Sequence, residues 1–134
     1  MAGRKPLLAL HHQEGKTMKS LASINTKDIE TIKMALNDAI SDINMELKNA
    51  LSDSKMKEVM EYKTRYTRVY EKLRNNPSIY ALAEYELDIA AGGLNDAIEM
   101  LEENMADDDL DDQEKSDILT YKNDCQRVID ILAG

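Results

Sequence analysis

The sequence predicts an all-α protein, a four-helix bundle or a set of helical hairpins, preceded by a flexible basic arm. Three observations lead there. Apolar residues recur at alternating steps of three and four along four stretches, the period of one face of an α-helix. Residues suited to capping stand at Asn25, Ser52, Asn76 and Asp111 or Asp112, where those stretches begin. Strand-forming clusters are scarce, since a core with no Phe or Trp draws on Leu, Ile, Ala, Met and Tyr. At 134 residues the chain makes one domain with a single core, and 43% apolar content excludes a wholly disordered polymer.

Residues 1–23 form the expected arm and residues 24–134 the bundle domain. The arm carries four basic residues and one acidic residue and shows no sustained period, so it is expected to order on a partner. Gly15-Lys16-Thr17 matches the end of a phosphate-binding loop. That loop needs an earlier glycine where Leu10 stands, and no α/β pattern follows to supply its sheet. His11 and His12 are adjacent, so they point apart, and no ligand cluster accompanies them. Solvated side chains are the better reading.

The first helix is expected from Asn25 to Leu51, with Ile24 and Ile29 stapling its start. Ile29, Ile32, Leu36, Ala39, Ile40, Ile43, Leu47, Ala50 and Leu51 give its core stripe. Ser52-Asp53-Ser54 restarts the chain into a second helix ending near Asn75, with Met56, Val59, Tyr62, Tyr66, Val69 and Leu73 inward. Asn76-Pro77 then reads as a helix start, because proline suits the first turn. The third helix would run to Met105, about 45 Å at 1.5 Å per residue. Its stripe is Ala83, Leu87, Ala90, Leu94, Ala97 and Leu101, widened by Tyr80, Ile98 and Met105.

Gly92-Gly93 sits mid-helix, where each glycine costs about 1 kcal/mol relative to alanine. The pair therefore marks a close crossing, within the bundle or as an interface with another subunit or partner. Asp107 to Glu114 could suggest a calcium loop, but the glycine and bidentate glutamate positions hold Asp112 and Ile118. A solvated acidic turn fits better. The fourth helix, roughly Gln113 to Leu132, offers Ile118, Tyr121, Cys125, Val128, Ile129 and Leu132 to the core, which makes Cys125 a buried thiol.

Charge divides the chain. Residues 1–76 hold 14 Lys and Arg against 10 Asp and Glu, and residues 77–134 hold 3 against 16. The second helix concentrates the excess. Lys57, Arg65, Arg68 and Lys72 share an outward stripe of that helix, which also holds Lys63, and these five, with Arg4 and Lys5 of the arm, are the candidate phosphate contacts. The alternative is a solvated basic helix lying against the acidic third and fourth helices.

Catalysis is not expected. The only histidines lie in the arm, and the acidic residues fall on outward faces without the inward Glu-x-x-His pairs of a metal-binding bundle. No cofactor and no metal site are therefore expected. The single cysteine and the lack of any long apolar run suggest a cytoplasmic protein with no membrane partner.

Met1-Ala2-Gly3-Arg4-Lys5-Pro6 resembles the opening of many phage small terminase subunits. The Asn25–Leu51 helix with its Thr-x-x-(Ile/Leu) opening, followed by Asn76-Pro77 leading a long helix, is similar to that family's order of helical hairpins. The likeness covers at most residues 1–105, and its six-residue start is the specific part. It implies a non-catalytic oligomeric ring that recognises viral DNA and hands it to the large, ATP-cleaving subunit. No helix-turn-helix can be placed, and the acidic last helix falls outside the pattern.

Two functions follow as expectations. One is a homo-oligomeric DNA-binding subunit that recruits a protein partner through its acidic second half. The other is an acidic module or inhibitor whose surface imitates nucleic acid. A helical adaptor with a hydrophobic recognition surface is a third, plainer possibility.

Overall fold

The computed structural model describes residues 21–133. The expectations placed on Arg4, Lys5, the histidine pair and Gly15–Thr17 lie outside the described residues. Four helices account for most of the described chain: α1 (Thr26–Glu46), α2 (Asp53–Asn75), α3 (Glu84–Met105) and α4 (Asp112–Ala133). A single 3₁₀ turn, Ile79–Ala81, joins α2 to α3. No strand occurs among the described residues. The protein is an all-α helical bundle.

Local chemistry sets the helix ends. Asn25 Oδ1 accepts the Asp28 N–H at 2.9 Å, and the Asp28 carboxylate accepts the Asn25 N–H at 3.1 Å, a reciprocal cap on α1. Ser52 Oγ accepts the Lys55 N–H at 3.2 Å and starts α2. Asp111 Oδ1 accepts the Glu114 N–H at 2.8 Å while Glu114 returns the bond at 3.3 Å, so the acidic turn supplies the cap of α4.

Two boundaries differ from the sequence expectation. The first helix stops at Glu46 rather than Leu51. The Lys48 and Asn49 N–H groups bond carbonyls three residues back, so the chain tightens into a turn and Ala50 ends up exposed. The apolar spacing survives because such a turn preserves the i, i+3 relation.

The larger correction is at Asn76-Pro77, which ends a helix instead of starting one. Asn76 is extended, at φ −143° and ψ 96°, and its N–H closes α2 on the Lys72 carbonyl at 2.9 Å. Proline forces this, since its ring disfavours helical geometry at the preceding residue. The chain then needs the 3₁₀ turn, with Ile79 and Leu82 buried as plugs, before α3 begins at Glu84. Tyr80 and Ala83, expected on the core stripe, are exposed. So is Met56 of α2, whose buried seam narrows to Val59, Tyr66, Val69 and Leu73.

α1 and α3 form the central pair. A Cβ built on Gly93 would sit 2.6 Å from Leu36 Cδ2 of α1, so glycine is what lets these two helices approach so closely. α2 and α4 flank the pair, each packing on both central helices and not face to face with each other. The basic helix therefore lies on one side of the molecule and α4 on the other.

Candidate nucleic-acid interface

The cations of α2 stand where a 3.6-residue period puts them. Lys57, Arg65, Arg68 and Lys72 fall within a sector of roughly 80° and are exposed, and Lys63 lies half-buried away from it. Lys63, Arg68 and Lys72 line an open groove along the outer face of α2, together with Met60, Thr64 and Thr67. Arg65 pairs loosely within its own helix, to Glu61 at 4.0 Å, and its guanidinium lies 5.6 Å from the Tyr62 ring centroid. Among the described residues, Lys57, Lys63 and Arg68 have no carboxylate within ion-pair distance. Of the α2 cations, and among the described residues, Lys72 alone forms an ion pair with another helix. The bundle leaves most of the charge on α2 facing outward, and the acidic helix against it is α3 alone.

Lys72 is a structural cation. Its Nζ lies 2.8 Å from Glu86 Oε1, and the same oxygen accepts the Ala83 N–H at 2.8 Å. Glu86 is fully buried. Burial pushes its carboxyl up, but the Lys72 hydrogen bond, the Ala83 N–H and the nearby charges of Lys72 and Arg68 outweigh it and hold the group below the ordinary range. Beside it, between α2 and α3, is a cleft of about 100 Å³ lined by Thr64, Arg65, Arg68, Val69, Tyr85, Glu86 and Ile89. Tyr85 is 57% exposed at the cleft.

The expectation that acidic residues all face outward is wrong for several of them, and four of these are held by a flanking helix. Asp28 and Glu86 are fully buried, and Asp38 and Asp96 are half-buried. Each takes a donor from a flanking helix. Asp28 binds Arg127, Asp38 accepts from the Tyr121 hydroxyl at 2.8 Å, Glu86 binds Lys72, and Asp96 accepts from the Tyr66 hydroxyl at 2.7 Å. Burial raises the Asp28 carboxyl, and Arg127 and the Asn25 N–H bring it back below the ordinary value. Burial and the Asp38 carboxylate push the Tyr121 hydroxyl well above its ordinary range, so it stays a donor.

These contacts repeat. Asp28 and Asp38 are ten residues apart, as are Glu86 and Asp96; Tyr66 and Lys72 are six apart, as are Tyr121 and Arg127. Leu36, Ala39 and Ile43 of α1 recur 58 positions on as Leu94, Ala97 and Leu101 of α3. The bundle is thus two similar hairpins, α1–α2 and α3–α4, in a pseudo-two-fold arrangement about the α1–α3 crossing. Matched ten- and six-residue spacings of acid and donor were the sequence signal for this. A search for one-face periodicity alone passes over them.

The repeat separates structural from surplus charge. Lys72 has a cationic counterpart, Arg127, in the second hairpin. At the same 55-residue offset, Lys57, Lys63, Arg65 and Arg68 correspond to Asp112, Ile118, Thr120 and Asn123. The cations the fold needs occur in both halves, and those on the outer face of α2 occur in one.

The remaining candidates are placed as follows. The close approach at Gly93 is made inside the chain, to Leu36, while a Cβ on Gly92 would meet only the Tyr66 hydroxyl at 3.7 Å, an ordinary contact. Cys125 is fully buried, and burial, then the charges of Asp124 and Asp38, push its thiol up to about 12. The exposed Asp107 turns the chain by accepting the Asp109 N–H at 2.9 Å. Among the described residues, no group of three or more His, Cys, Asp or Glu is placed to hold a metal.

No known family, curated protein or solved structure matches the chain. No helix among the described residues is long and apolar enough to cross a membrane.

Proposed function

We propose that this protein is a non-enzymatic DNA-binding subunit that holds phosphates on the outer face of α2 and meets a protein partner through its acidic second half. One observation carries the reading: among the described residues Lys57, Lys63 and Arg68 have no carboxylate within ion-pair distance, and none of them is repeated in the second hairpin. Of the three only Arg68 acts on a buried group, through its charge near Glu86, and a largely uncompensated cationic face attracts polyanions at a rate and affinity that salt suppresses. The small-terminase resemblance at Met1–Pro6 supports the same role, with assembly into a homo-oligomer and transfer of DNA to a larger enzyme as its further content.

A salt titration of DNA binding tests it. Arg65→Glu with Arg68→Glu should abolish retention, and each phosphate contact should add close to one unit to the slope of log affinity against log salt. A chain that holds no DNA even at low salt refutes it. Light scattering reads the assembly state separately, and a monomer removes the homo-oligomer.

A second reading has its own observation. α3 exposes Glu84, Glu102 and Glu103 and carries no basic residue, and the turn before α4 adds the exposed Asp107, Asp108, Asp109 and Asp111. That surface suits a basic protein, as an inhibitor imitating nucleic acid would. Changing these exposed turn carboxylates to Asn should weaken such a partner and leave DNA binding intact.

A further inference from the structure

The cleft between α2 and α3 holds an aromatic group that phosphate binding does not use. Tyr85 stands in the first turn of α3 with 57% of its surface in solvent, and lines the cleft with Arg65 and Arg68 of α2. Its ring is not part of the buried core, and the apolar side chains that line the cleft with it are Val69, fully buried, and Ile89. Tyr80, five residues earlier on the turn into α3, is 61% exposed. Exposing Tyr85 leaves an apolar ring face in water beside Arg65 and Arg68, and Tyr80 leaves a second ring in solvent on the turn before it.

The internal repeat sharpens this. The position matching Tyr85 in the first hairpin is Lys27, and that matching Tyr80 is Ala22. Neither aromatic has a counterpart, just as Arg65 and Arg68 have none. The supporting pair beneath the cleft, Lys72 with Glu86, does have its counterpart in Arg127 with Asp28. The framework of the site is common to both hairpins, and the two arginines and Tyr85 that line the cleft belong to one.

A duplex offers this arrangement only phosphates, because its base faces are stacked inside. An unpaired strand offers phosphates and free base faces together, and aromatic rings beside a cationic groove are what bind such a strand with little regard to sequence. We infer that the α2–α3 cleft binds an unpaired DNA strand, with one base stacked on the Tyr85 ring and the flanking phosphates held by Arg65 and Arg68. The cleft volume, about 100 Å³, accommodates a single ring edge and not a base pair. The Tyr62 ring beside Arg65 narrows the directions its guanidinium can take and leaves it beside the cleft.

This inference rests on the DNA-binding reading and is separable from it. Fluorescence anisotropy at low salt should be run with one labelled DNA strand and with its duplex. The single strand should bind about ten-fold more tightly than the duplex, and Tyr85→Ala should lower single-strand affinity by about ten-fold with duplex affinity unchanged. Tyr85→Phe should restore the preference, because the ring stacks and the hydroxyl does not. A thermal melt of each variant checks that the fold is intact. Equal affinity for the two forms, or a Tyr85→Ala effect of the same size on both, overturns the inference while the phosphate reading stands. Loss of all binding only in Arg65→Glu with Arg68→Glu keeps the two claims apart, and no binding by the unaltered protein defeats both.

Discussion

Replacing Gly93 with alanine puts a methyl carbon 2.6 Å from Leu36 Cδ2, closer than two carbons can stand. Leu36 is fully buried, so its methyl has no empty space to enter, and the α1–α3 crossing must widen or Leu36 must leave its rotamer. Overpacking of this kind costs about 1–3 kcal/mol. Against it stands the helix propensity alanine gains over glycine, about 1 kcal/mol. The net loss is then about 1 kcal/mol, or a fall of about 4 °C in melting temperature for a domain of this size. Gly92→Ala is the control. Its Cβ meets the Tyr66 hydroxyl at an unstrained 3.7 Å, so the propensity gain is uncompensated and the variant should melt at or above the parent. The gap between the two variants isolates the clash at about 1–3 kcal/mol. Urea unfolding followed by far-UV circular dichroism measures it. Leu36→Ala should couple to Gly93→Ala, the double variant losing less than the two single losses summed, because the smaller side chain vacates the contested space. Gly93→Ala as stable as Gly92→Ala would show that the crossing is looser than this packing requires.

Further outcomes follow from the buried polar contacts. Asp28 and Glu86 have folded-state carboxyls held below their ordinary range, so their contribution is present above the unfolded value and is lost as pH falls through the folded one. Melting temperature should therefore be flat near neutrality and drop below about pH 4, and Asp28→Asn should shallow that drop. An acid limb unchanged in Asp28→Asn removes the assignment. Arg127→Met leaves the fully buried Asp28 without its cation and should cost about 1–3 kcal/mol in urea unfolding, moderated by the water that reaches Arg127. Cys125, its thiol pushed up to about 12 within the core, should resist alkylation at mildly alkaline pH until denaturant is added; rapid labelling of the folded chain contradicts its burial.

Most of the secondary structure was legible because it is written in short-range terms. The caps at Asn25, Ser52 and Asp111 act over three residues, and the stripe from Leu87 to Leu101 needs only the helical period. Asn76-Pro77 misled for the same reason. As a pair it suits a helix start or a stop, and the choice depends on whether α2 already occupies the preceding residues. The carboxylates misled more deeply. On a helical wheel Glu86 sits beside the apolar stripe like any other acid, and nothing within one turn announces that Lys72 will arrive from another helix.

Alone, the sequence determined that four amphipathic segments would form, where most of them begin, and that α2 would carry the positive charge. Periodicity and capping act through neighbours in the chain, so the chain suffices to read them. Only the tertiary structure decided that Gly93 faces Leu36, that Asp28 and Glu86 are buried with cations from α4 and α2, and that α2 and α4 lie on opposite sides of a central pair. Those facts depend on which helix faces which, and four seams of similar width can be paired in several ways. Close approach at one glycine and two buried ion pairs select among them, because a misplaced charge in the core costs more than a misplaced leucine.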